Sequence, residues 1–264
     1  MREFSKLVAL AGGIAFAAGL AYAADQTILG KSLTVKDPTQ GADATKRSIK
    51  GSAKEKGSGN TLVGNPTLAG SSGGAILDIF ANGTHPTSQS FVLPQGTSST
   101  SKPFWTAVGT PAVAYKYKDG KGDQGPVKSV IIKRTASGAF SIKVKLTGKN
   151  GTIGVVPPNS GISGCMALKL GQSAGAGDRY SVQFGTESKI KNVDAKVFSA
   201  KKPSAEGVCP TVTPTTTTTT TTGVTTTTGA STTTTSTAAS TTTTTTMYGS
   251  PSRAFLEKVE NLLD

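Results

Sequence analysis

The chain has 264 residues, with 28 basic side chains against 15 acidic ones and a net charge of +13. A single histidine and two cysteines are too few for a dedicated zinc centre or a disulfide-dense scaffold. After the first residues no apolar run is long enough to make a transmembrane helix.

The opening MREFSKLVALAGGIAFAAGLAYA carries Arg2 and Lys6 ahead of an apolar run from Leu7 to Leu20, then Ala21-Tyr22-Ala23. A basic start, a short apolar centre and a small-x-small site predict a signal peptide over 1–23, cleaved after Ala23. The mature chain is therefore expected in the periplasm, at the cell surface or outside the cell, without a transmembrane span. The leader carries one net positive charge and the segment from Met247 one net negative, so the whole +13 falls between Ala24 and Cys209.

Residues 24–209 read as many short strands. In "AFSIKVKL", Phe140, Ile142, Val144 and Leu146 alternate with Ser141, Lys143 and Lys145, the period of a half-buried strand. "VAYKYKDGKG" alternates Tyr115 and Tyr117 with Lys116 and Lys118 and ends in an Asp119-Gly120 turn. Further strands are expected in "TILGKSLTVK", "RSIKGSAKEK", "GAILDIFANG", "SQSFVLP", "VKSVIIKR", "CMALKL", "RYSVQFG" and "AKVFSA". Strands at this spacing without helices between them predict an all-β, antiparallel sandwich or jelly-roll-like domain. A division into two smaller sandwiches near "LPQGTSSTSKP" is the alternative.

Residues 210–249 are almost pure Thr with some Ser, Ala and Gly. Such a tract has too few large apolar groups to offset the entropy of ordering and is expected to be an extended, disordered linker, glycosylated or bare. In 250–264, Ser250 and Pro251 open a short amphipathic helix with Phe255, Leu256, Val259, Leu262 and Leu263 on one face. Alone it is marginal, so its face wants a protein partner, the β body, a membrane surface or the rest of a further domain.

Chemistry is sparse. Gly171-Gln172-Ser173-Ala174-Gly175 fits the G-x-S-x-G nucleophile pattern, but that elbow needs a helix after the serine and a histidine later in the chain. A strand-like "DRYSVQF" follows instead, and His85 precedes Ser173. Ser173 is accordingly read as part of a turn, and no catalytic residue is assigned. Asp119 and Asp123, four apart in a Gly-rich loop with Lys121 between them, make only a faint calcium candidate. No cofactor fingerprint is present. Cys165 and Cys209, in an exported chain, are expected to form a disulfide. Trp105 and the tyrosines could supply a sugar-stacking platform if they face outward, and Lys116, Lys118, Lys143 and Lys145 a basic ligand face.

"YKYKDGKGDQGPVKSVIIKRTASGAFSIKVKLTG", "GVVPPNSG" and "AKVFSAKKPSAEGVC" resemble segments of uncharacterised secreted β-rich proteins of environmental proteobacteria. The resemblance implies export and β architecture, and carries no activity. Together these features predict a non-enzymatic surface or extracellular module, structural or adhesive, whose basic face meets an anionic polysaccharide or cell-envelope polymer. Specific nucleic-acid binding is not expected, because no arginine cluster or aromatic row accompanies the lysines. A carbohydrate-binding module built on Trp105 is the alternative, and a serine hydrolase comes last.

Overall fold

The computed structural model describes residues 24–211 apart from Thr186 and Ser204. The predicted leader, the Thr-rich tract beyond Thr211 and the predicted terminal helix lie outside the described residues. Thirteen strands are present among the described residues. In chain order they are β1 (Asp25–Thr27), β2 (Gly30–Lys36), β3 (Ser48–Glu55), β4 (Ala75–Gly83), β5 (Thr87–Leu93), β6 (Trp105–Val108) and β7 (Ala114–Lys118). The remainder are β8 (Val127–Arg134), β9 (Phe140–Thr147), β10 (Gly161–Leu170), β11 (Arg179–Phe184), β12 (Lys189–Val193) and β13 (Val197–Lys201).

They form two sheets, one in the order β1-β11-β10-β4-β5 and one in the order β12-β13-β2-β3-β9-β8-β7-β6. Every pairing is antiparallel except β1 beside β11. The protein is thus all-β. Its sheets face one another across one core, in which Leu77, Ile79, Met166 and Val182 of the five-stranded sheet join Leu33, Ile49, Val130 and Ile142 of the larger one. Residues on both sides of the 94–103 segment belong to this core, so it is not divided between two sandwiches.

Period-two patterning explains the layers. In β9, Phe140, Ile142, Val144 and Leu146 are buried while Lys143 and Lys145 are exposed, as alternation across a pleated strand requires. Close approach of the sheets depends on glycine. A Cβ at Gly164 of β10 would stand 2.7 Å from Leu33 of β2, and one at Gly51 of β3 would meet Met166 of β10. A stacked pair, Phe140 of β9 and Tyr180 of β11 with ring centroids 5.4 Å apart, also bridges the layers.

The outer side of the five-stranded sheet is covered by the residues around Glu206 and Cys209. After β13 the backbone crosses that sheet as a strap. The Glu206 carboxylate accepts from Thr27 Oγ1 at 2.7 Å, and Cys209 is bonded to Cys165 of β10. Phe80, Cys165, Ala167 and Cys209 form a second small apolar cluster there. This is why β10 is buried on both faces from Gly164 to Leu168. The expected disulfide is therefore present.

Candidate functional site

The outward positions of the eight-stranded sheet build a lysine field. Strand register places Thr34, Lys50, Lys145, Ser129 and Lys118 in one row across β2, β3, β9, β8 and β7. The next row holds Ser32, Ser52, Lys143, Ile131 and Lys116. Lys54 and Lys133 flank Ser141 in a third. Neither carboxylate nor aromatic side chain interrupts these positions.

Lys50 stands directly opposite Lys145. Like charges on facing strand positions oppose pairing, so stability of the sheet does not account for this choice. The ion pairs found among the described residues, Lys46–Asp43, Arg47–Asp37, Arg179–Asp25 and Arg179–Asp78, involve none of these lysines. The lysines are exposed, with their ammonium groups directed to solvent.

Shallow depressions run between the lysine rows. One of about 450 Å³ is lined by Lys50, Lys143, Lys145 and the hydroxyls of Ser32, Ser52 and Ser129. A neighbour of about 510 Å³ shares Lys143 and adds Lys31, Lys54 and Lys133. On the other side, a depression of about 280 Å³ shares Lys145 and adds Lys116, Lys118 and Lys128. It meets a further one, about 530 Å³, at Lys118, where Lys102 and Lys121 join. The four are linked through shared lysines into an open track across the sheet. Such a surface suits an extended polyanion better than a small enclosed ligand.

Of the ligand-face residues expected from sequence, Lys116, Lys118, Lys143 and Lys145 share this field. Trp105 does not, and the expectation is corrected. It pairs across β6 and β7 with Tyr117, and the pleat turns both rings inward, so Trp105 is only 4% exposed. Its indole Nε1 donates to the Leu93 carbonyl at 3.2 Å, and its ring packs on Tyr117. Tyr115 and Tyr180 are buried as well. The aromatics therefore form core and offer no stacking platform. Lys50 was missed, because only the register between β3 and β9 reveals that it joins Lys145.

Asp119 closes the β7–β8 hairpin from within. Its Oδ1 accepts from the amides of Gly122 and Asp123 and its Oδ2 from that of Gln124 at 2.7 Å. Asp123 accepts from the amide and hydroxyl of Ser99. Oxygens surrounded by N–H donors are poorly placed to face a cation, which needs six or more oxygen ligands. The weak calcium candidate is thus a loop-closing pair of carboxylates. Ser173 lies in the turn between antiparallel β10 and β11, its amide donating to the Ser71 carbonyl at 2.8 Å. Strand, turn and strand surround it, where a nucleophile elbow has strand, turn and helix. His85 is exposed in the β4–β5 loop.

On the opposite layer, Arg179 gathers the strap. It donates to Asp25 Oδ1 and to the carbonyls of Cys209 at 2.9 Å and Pro210 at 2.6 Å. One guanidinium nitrogen is 3.9 Å from Asp78, which also accepts from Ser90 Oγ. Burial pushes the Asp78 carboxyl above the usual aspartate range, while the Ser90 hydrogen bond, Arg179 and Lys169 pull it back. A raised folded-state pKa means that the folded protein holds this proton more tightly than the unfolded chain. The contribution of Asp78 to stability therefore falls as pH rises from the unfolded value of 3.8 through the folded one. Asp78→Asn is expected to flatten that part of a stability-versus-pH curve measured by urea unfolding. An unchanged slope would contradict it.

Comparison with protein families, with curated proteins and with solved structures returned no match.

Proposed function

We propose that the protein is an exported, non-enzymatic surface or extracellular module that binds an extended anionic polysaccharide along the lysine track of its larger sheet. The observation that carries this reading is the uncompensated facing pair of Lys50 and Lys145 within a track of lysines and hydroxyls. Serine and threonine between the lysines can exchange hydrogen bonds with sugar hydroxyls while the ammonium groups meet carboxylates or sulfates. Nucleic acid is disfavoured because no exposed aromatic lies among the lysines to stack a base. The signal-like leader and the disulfide fit an oxidising compartment. Among the described residues no helix is long and apolar enough to cross a membrane. The Thr-rich sequence beyond Thr211 then serves to connect this module to whatever anchors it.

The test is binding to immobilised sulfated or uronate polysaccharide across a salt series. Retention that falls steeply with salt is expected, since exposed charge interactions are screened. One lysine–anion contact in water is worth about 1 kcal/mol. Replacing Lys50, Lys143 and Lys145 together by Gln should therefore weaken binding about a hundredfold. The fold should survive, because solvent-facing substitutions change stability little. Indifference to salt or to the triple change would defeat the proposal. Tighter binding to single-stranded DNA or to anionic vesicles would replace the polysaccharide with another polyanion.

A further inference from the structure

The five-stranded sheet contains a second charged feature, at its β1 edge. Asp178, just before β11, is 6% exposed, and among the described residues its carboxylate forms no ion pair with any side chain. Its Oδ1 accepts from the backbone nitrogen of Ala24 at 3.1 Å, and its Oδ2 from the Gln26 side-chain amide. Ala24 is itself exposed. Its carbonyl accepts from the Arg179 amide at 3.0 Å, so two backbone groups of this residue are held, one by Asp178 and one by the first residue of β11. The Gln26 side chain is held in turn by the backbone of Thr61.

A nearly buried carboxylate is costly unless a cation or several hydrogen bonds compensate it. The atom placed against Asp178 is the one that becomes an α-amino group if the leader is cut after Ala23. We propose that maturation creates the cation for this site: the new α-ammonium of Ala24 pairs with Asp178 and completes the β1 edge of the sheet. The inference rests on the export reading. Chemically, a leader peptidase hydrolyses the Ala23–Ala24 bond, with the hydroxyl of water going to the Ala23 carbonyl carbon. The departing nitrogen takes protons to become –NH3+. The other charged or titratable groups nearby are Asp25, whose carboxylate turns to Arg179, Arg179 itself, and Tyr180, whose hydroxyl meets the Val63 and Thr61 backbone. None supplies Asp178 with a side-chain cation.

The experiment exports the full-length precursor from a bacterial host, reads the N-terminal residue by mass spectrometry, and follows acylation of the α-amine against pH. An ordinary α-amine titrates near pH 7.7–8.0. A neighbouring carboxylate favours its charged form. The midpoint of the labelling profile should therefore lie higher in the folded protein than in the same protein in urea. Near neutral pH the folded α-amine should label about tenfold more slowly. Asp178→Asn should return the profile to the urea value. If that variant does not fold, the wild-type comparison decides alone. Simple steric cover would lower the plateau rate without moving the midpoint, and that result would overturn the proposal. A mature chain that starts elsewhere than Ala24 would overturn it too. Loss of polysaccharide binding with this titration intact would instead count only against the lysine track.

Discussion

Replacing Cys165 and Cys209 together by alanine is expected to lower the unfolding free energy by about 4 kcal/mol. The bridge spans a sequence separation of 44 residues, and a cross-link of that length removes much of the freedom of the unfolded chain. The closed loop includes β11, β12 and β13, which belong to both sheets, so the constraint reaches both layers. Arg179 still holds the Cys209 and Pro210 carbonyls, which should keep the strap partly seated in the variant. Urea unfolding of wild type, double variant and reduced wild type checks the expectation. Agreement between the last two would assign the effect to the cross-link. A loss below about 1 kcal/mol would mean that the reduced chain retains structure that already confines these ends.

The second large effect is expected at Phe140. Its ring is fully buried and stacks on Tyr180 across the two layers. Truncation to alanine leaves a cavity between β9 and β11 and should cost about 3–5 kcal/mol. Tyr180 has little freedom to collapse into the space, because its hydroxyl receives the Val63 amide at 2.7 Å and donates towards the Thr61 carbonyl. Burial also pushes that hydroxyl well above the ordinary tyrosine range, so it remains a donor throughout the working pH range. Under conditions where Phe140→Ala is still folded, its polysaccharide binding should match wild type. The lysines lie on the other side of the sheet. A small stability loss would indicate that neighbouring core side chains refill the cavity.

Local pattern carried most of the architecture. The alternation of β9 and β7 and the Asp-Gly turn after Lys118 report directly which side chains face inward, because the pleat allows only two sides. Three strands were not anticipated. β1 is three residues long and exists through its parallel partner β11, a neighbour distant in the chain. β12 is short and mostly polar, and pairing with β13 defines it. β6 begins at Trp105, and its inward direction follows from register with Tyr117, which composition does not contain.

The same limit applies to the candidate site. Lys143 and Lys145 could be placed on one face from their own strand. Lys50 becomes their neighbour only when β3 pairs with β9, and a slip of one residue would turn it inward. Asp178 was likewise invisible as a charge site, since its partner atom belongs to the backbone of a residue more than 150 positions earlier.

The bond from Cys209 to Cys165 also decides how a pull on the chain beyond Thr211 would travel. Tension entering at Pro210 reaches β10 through sulfur, bypassing β11, β12 and β13, which a bare polypeptide would peel away one after another. β10 is the middle strand of its sheet, laced on one side to β4 and on the other to β11. Load arriving there is shared by two hydrogen-bonded ladders, while the lysines lie on the outer face of the other layer.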